Sequence, residues 1–285
     1  MKTGLCALVA LCALLLMQGC STRPRNRGEI FDTRNRAESQ MDRGNRLADR
    51  GDPESALLML DEAMRLAVLS DDPGLRARVG LSRSNVLFSL GLAAAAEAGL
   101  SAALGDAALS GDRELVALGR VHAARLRLLS PGGRAEAGSV AEEVSREAAF
   151  LRDPIRLAFA WAVLARAEGE LGRYAQAEAA ARRSLAVHER NRRFELAAFD
   201  WFMIASFRSR SGDFDGARRA LESSIDLDRR VENSWGLAAG WRAMGDVERR
   251  AGNLEAARAA YARAAGIFRA LGNDPAAEET LARGE

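Results

Sequence analysis

Lysine is almost missing from this chain. Lys2 is the only one among 285 residues, and the other basic side chains are all arginine. Against 41 basic residues stand 39 acidic ones, interleaved along segments such as DPGLRARVGLSRS, so there is no excess of positive charge of the kind nucleic acid attracts. The lack of lysine is read as a compositional bias; the interleaving is that of a solvated helical surface with local pairing. Cysteine is scarce too: Cys6, Cys12 and Cys20 all lie in the first twenty residues, which excludes a disulfide framework in the body of the protein. The two histidines, His122 and His188, share no metal-ligand spacing. No HExxH, nucleophile elbow, phosphate-cradling glycine loop or CxxC is present. These absences favour a chain that is not an enzyme and uses no cofactor or metal.

What is present is repetition. Trp161, Trp201 and Trp241 stand forty residues apart, and Gly172, Gly212 and Gly252 keep the same interval. Each glycine is followed by Tyr174, Phe214 or Leu254 and then by Ala177, Ala217 or Ala257. Weaker copies surround Gly51, Gly91 and Gly132, which makes six units. A second series, Asp72, Asp112, Asp153, Asn233 and Asp274, has nearly the same period and is interrupted only by Arg193. Asp and Asn side chains accept from the free amides of a first helical turn, and Pro73, Pro154 and Pro275 follow directly, so these positions are expected to be helix N-caps. Each unit is then a helix–turn–helix hairpin with helices of about 27 Å. The tryptophans are expected in the core, beside small residues that let helices approach closely. The alanine-rich second unit, GLAAAAEAGLSAALGDAALSG, is expected to be the least robust, packing unusually close or fraying.

Trp241, Met244 and Gly245, followed by Ala257, Tyr261 and Ala264, resemble the W-x2-L-G…A-x3-F pattern of tetratricopeptide (TPR) repeats. Trp161, Leu164 and Ala165 fit its first half, as do Trp201, Ile204 and Ala205. The period is forty rather than thirty-four, similar to a longer variant, and Glu168, Arg208 and Glu248 stand where the pattern has a late aromatic. The resemblance implies an all-α, right-handed α-solenoid of about six hairpins over residues 38–274, closed by a C-terminal capping helix over 275–285.

At the other end, an apolar run from Leu5 to Met17 is too short for a stable membrane helix and ends in Met17-Gln18-Gly19-Cys20. It reads as a signal peptide over residues 1–19. Its last four residues resemble the bacterial lipobox, which implies a covalent lipid on Cys20 and a lipid-anchored place in the cell envelope. With Ser21 after the cysteine, the periplasmic face of an outer membrane is favoured. The polar, arginine-rich segment 20–37 is expected to be a flexible tether.

The surface remains as the place for function. Stacked hairpins that rotate slightly leave a concave groove lined by first helices. Opposite the tryptophans lie Phe159, Ala162, Arg166 and Glu170; Phe199, Phe202, Ser206 and Arg210; and Ala239, Arg242, Asp246 and Arg250. Phe159, Arg166, Glu170, Phe199, Phe202, Arg210, Arg242, Asp246 and Arg250 are the candidate partner-binding residues, for a segment of another envelope protein. A solute carrier serving a transporter and a purely structural oligomer are the alternatives.

Overall fold

The structure is a computed structural model that describes residues 29–284, so the signal segment and Cys20 lie outside the described residues. Thirteen α-helices form six antiparallel hairpins and a terminal helix, with no strand among the described residues. The hairpins are α1 (Glu29–Asp49) with α2 (Pro53–Leu69), α3 (Pro73–Ser89) with α4 (Ala93–Ser110), and α5 (Arg113–Leu129) with α6 (Ala137–Ala148). Then come α7 (Pro154–Glu170) with α8 (Tyr174–Arg190), α9 (Phe194–Ser211) with α10 (Phe214–Arg230), and α11 (Ser234–Arg250) with α12 (Leu254–Ala270), before α13 (Asp274–Ala282). The fold is an all-α repeat solenoid. The first helix already begins at Glu29, so residues 29–37 are helical rather than part of a tether. Ala37 and Met41 are buried in the first core cluster, and Arg34 reaches Asp72 at the start of α3 at 3.4 Å.

Local chemistry explains the boundaries. Asp72, Asp112, Asp153 and Asn233 each accept from a first-turn amide, while Arg193 makes no such bond. The last cap is Asn273, not Asp274: its Oδ1 accepts from the Ala276 amide at 3.1 Å. The proline there stands two residues after the cap instead of one, which leaves Asp274 in the first helical turn. Within the hairpins, the six repeat glycines hold φ between +75° and +92°, a left-handed turn that spares glycine the Cβ clash. Between hairpins the same conformation falls on Asp71, Arg192 and Glu232 as well as on Gly111 and Gly272.

Packing follows the small residues. Ala165, Ala177, Ala205, Ala217 and Ala257 are buried, and a Cβ on Gly245 would stand 2.5 Å from the Tyr261 ring, so α11 and α12 meet backbone to aromatic face. The tryptophans differ from expectation. Trp161, Trp201 and Trp241 are all half-buried. Trp201 and Trp241 pack against the core with one face while arginines cover the other: the Arg182 guanidinium lies 5.9 Å from the Trp201 ring and that of Arg263 4.6 Å from Trp241. The substituted aromatic position also has a clear role. Arg208 is held by Glu178 of α8, with Nη2 to Oε1 at 2.7 Å, and Glu248 accepts from Arg218 Nε of α10 at 2.7 Å. At these two positions ion pairs between hairpins replace an aromatic contact, while Glu168 pairs with Arg173 of its own hairpin at 3.3 Å.

Candidate functional site

First helices pack on their own kind, α1 on α3, α3 on α5, α5 on α7, α7 on α9 and α9 on α11, whereas the second helices reach the next hairpin through its first helix. A stack closer together on one side curves toward that side, which makes the first helices the concave wall. The curvature carries the first hairpin back to the fifth and sixth. Arg50, in the α1–α2 turn, pairs with Glu195 at the start of α9 at 3.3 Å. Gly51 beside it lies so close to Trp235 of α11 that a Cβ there would stand 2.6 Å from the indole. Sequence periodicity shows adjacent units only, so it gave no sign of this contact between residues 145 positions apart.

Carboxylates crowd the contact. Asp49 is reached by solvent, yet the surrounding protein, followed by the Glu195 charge, pushes its pKa up to about 6, against opposing pulls from Arg193 and His188. Asp228, buried at the end of α10, is likewise pushed up to about 6, first by burial, with Glu195 adding repulsion, although the Asn233 side chain donates to it at 2.7 Å. Close by, His188 of α8 and Asp200 of α9 form a buried pair at 2.6 Å, and burial raises the Asp200 carboxyl while the His188 bond opposes it. Ser184 also approaches His188, but on the same Nδ1 atom at 3.4 Å. A nucleophilic relay needs the serine and the acid on different imidazole nitrogens, and all three residues are buried, so this cluster is a packing device.

The groove residues expected from sequence fall into distinct settings. Phe199 and Phe202 stand together, ring centroids 6.4 Å apart, with Phe199 47% exposed. Glu170 and Arg210 meet at 3.4 Å, and Arg210 also lies over Tyr174 at 5.1 Å. Arg250 donates to Ser209 Oγ at 3.1 Å and sits over Phe214. Asp246 accepts from the Tyr261 hydroxyl at 2.8 Å and pairs with Arg283. Arg242 points toward the C-terminal cap, over Phe268 at 5.5 Å, and so is separated from Arg250. Arg166 has no carboxylate within 4 Å among the described residues, and Phe159 stacks on His122 at 4.4 Å.

Two residues of this wall were not picked out from sequence. Arg125 of α5 donates to Asn85 Oδ1 of α3 at 2.9 Å, and Asn85 Nδ2 bonds His122 Nδ1 at 2.9 Å. Asn85, Arg125 and Arg166 occupy one register position on three successive first helices, a signal that reading down the repeat could have found. Burial lowers the His122 pKa to about 3, so the ring is neutral. On the other side of the stack, a cleft of about 500 Å³ is lined by Ile225, Trp241, Met244, Ala256 and Ala260 with Arg218 and Arg263 at its rim. Among the described residues no cluster of three metal-ligating side chains occurs and no helix is long and apolar enough to cross a membrane.

No protein-family model matches the chain, and no curated protein does. Solved structures do resemble it. BtubC (BKLC) from P. vanneervenii is 19% identical with a TM-score of 0.56, covering 83% of this chain and 92% of that one. PilW, described as a widely conserved type IV pilus biogenesis factor, is 16% identical with a TM-score of 0.53, over 86% of this chain and 98% of PilW. A signal-transduction ATPase of Pyrococcus horikoshii with a tetratricopeptide repeat sensor gives a TM-score of 0.52 at 12% identity, matching 42% of its own length. At these identities the likeness shows the fold: this chain is similar to TPR-like repeat proteins and shares their all-helical solenoid.

Proposed function

We propose that this chain is a lipid-anchored adaptor whose concave face binds a segment of another cell-envelope protein and holds it at the membrane. The observation that carries this reading is the wall of first helices itself: exposed Phe199 beside Phe202, with arginines projecting from successive hairpins, the residue types that dominate protein interfaces. The lipobox-like sequence ending at Cys20 supports the anchor, and PilW, a pilus biogenesis factor of similar fold, offers an envelope precedent. Crosslinked pull-down from the native envelope tests both halves. Cys20→Ala should abolish lipid labelling and release the protein from the membrane. Arg210→Ala, Arg242→Ala and Arg250→Ala together should lower partner capture at unchanged helicity. The control triple Arg182→Ala, Arg219→Ala, Arg258→Ala, on second helices, should not. Loss with the control set alone would place binding on the convex face.

The contact between the first hairpin and the fifth and sixth supports a second reading, a carrier that closes around a solute. A ligand-induced rise in melting temperature with no protein captured would favour it.

A further inference from the structure

The edge of the stack at which one hairpin passes to the next changes character along the chain. Three residues before the helix caps Asp72, Asp112 and Asp153 stand Leu69, Leu109 and Phe150, which are 63%, 75% and 45% exposed, with Val68 beside the first at 56%. The fourth and fifth hairpins put exposed Arg190 and Arg230 at that place, and the sixth puts Ala270 there, next to Leu271 at the margin of exposure. Large apolar side chains left in water at one register of three neighbouring units, and replaced by arginine in the next two, mark a surface that something covers.

Close contacts make this edge continuous. Arg34, near the start of α1, reaches Asp72 at 3.4 Å, a Cβ on Gly74 would lie 3.7 Å from the Ser110 Cβ at the end of α4, and Glu114 Oε1 accepts from the Asp153 amide at 2.8 Å. Its acids are engaged internally, Asp71 by Arg76 at 3.3 Å and Asp112 and Asp153 by first-turn amides. Arg113 and Arg152 are exposed near Phe150, and the Arg113 guanidinium lies over its ring at 5.5 Å. Curvature turns the later edge elsewhere: Glu195 of the fifth hairpin meets Arg50 at the far end of the first, so it stands a helix length, about 25 Å, away from Leu69.

We propose that the edge carrying Val68, Leu69, Leu109 and Phe150 rests on the lipid bilayer, with those side chains entering the headgroup boundary and the first three hairpins standing on it. The chain that precedes α1 selects this occupant. Residues 20–28 carry Arg23, Arg25 and Arg27, span at most about 30 Å and lead into α1 beside this edge, so a lipid on Cys20 would bring the bilayer to it. Arg113 and Arg152 would keep their charge among the headgroups while their stems lie along the apolar layer. The contact orients what a lipid alone only tethers, and holds the α9 wall of the groove off the membrane surface. This docking deepens the adaptor reading above and rests on its lipid anchor.

The test places the full chain on vesicles of phosphatidylethanolamine and phosphatidylglycerol that contain a trace of lipid with a photoactivatable diazirine near its headgroup, and maps the crosslinked peptides by mass spectrometry. Peptides holding Leu69, Leu109 and Phe150 should be labelled at least about fivefold more than those holding Arg190 and Arg230. The triple variant Leu69→Ser, Leu109→Ser, Phe150→Ser should float with the vesicles and melt as the wild type does, yet lose that labelling about tenfold. Equal labelling of the early and late hairpins, or unchanged labelling of the triple variant, on chains that float would overturn the docking and leave the anchor standing. A chain that carries no lipid yet floats and is labelled at this edge would uphold the docking and remove the anchor; one that carries no lipid and does not float would overturn both. If, without vesicles, the wild type is a dimer and the triple variant a monomer, the edge joins two copies and the assignment falls.

Discussion

The second hairpin and the fourth-to-fifth hairpin junction join helices by opposite chemistry. In α3–α4 the helices come together through small residues: a Cβ on Gly80 would lie 2.9 Å from Ala103, and one on Gly99 would lie 3.0 Å from Ser84 Oγ. The buried face of α4 is Ala96, Leu100, Ala103 and Ala107, and no side chain caps its start. At the junction of α8 with α9, the interior instead holds His188 against Asp200, with Arg208 and Glu178 alongside. The first seam depends on shape and the second on charge, so one should be intolerant of added volume and the other of losing a single partner.

Breaking the charged seam should have the largest effect. His188→Ala leaves the fully buried Asp200 without its partner, and one carboxylate oxygen there, Oδ1, already lacks one. A loss of about 3–5 kcal/mol is expected in denaturant unfolding, while the double replacement His188→Leu, Asp200→Leu should recover most of it. In the small-residue seam, Gly80→Leu should cost about 1–3 kcal/mol by forcing α3 from α4. Gly105→Ala in the same hairpin, where nothing lies within 4 Å, should stabilise by about 0.5–1 kcal/mol. Equal penalties at both glycines would remove the distinction between the seams.

A smaller effect concerns the contact that closes the stack. Folding raises the pKa of Asp49 and Asp228 from the ordinary aspartate value to about 6, so the native state holds protons that the unfolded chain releases. Stability should therefore fall as pH rises from about 4 to about 6 and level off above. Asp49→Asn and Asp228→Asn should each flatten that slope, and thermal melting across pH measures it. A slope of the opposite sign would mean that these carboxyls are not crowded in the native state.

The regular parts of this fold were legible because they are local. A glycine forced to positive φ, an Asp accepting from its own first turn and an alanine at a helix crossing each act within one unit, and each recurs every forty residues. The shift of the last cap to Asn273 and the half-buried tryptophans were less legible, since each depends on one residue of offset or one arginine from a neighbouring helix. In the groove, Phe199, Phe202 and Arg166 could be placed by register alone. Arg125 could have been reached by the same register, twelve residues into its helix like Asn85 and Arg166, but its hydrogen bond to Asn85 across two hairpins could not. Least legible was the approach of Arg50 to Glu195, which comes from accumulated curvature and has no periodic trace.

The groove as the working surface is tested most directly by hydrogen exchange of the full chain, alone and crosslinked to a protein that it captures. Slowed exchange is expected along α5, α7 and α9, centred on Arg125, Arg166 and Phe199, with α8, α10 and α12 unchanged. Protection confined to α8, α10 and α12 would contradict it and move the binding surface to the cleft beside Trp241.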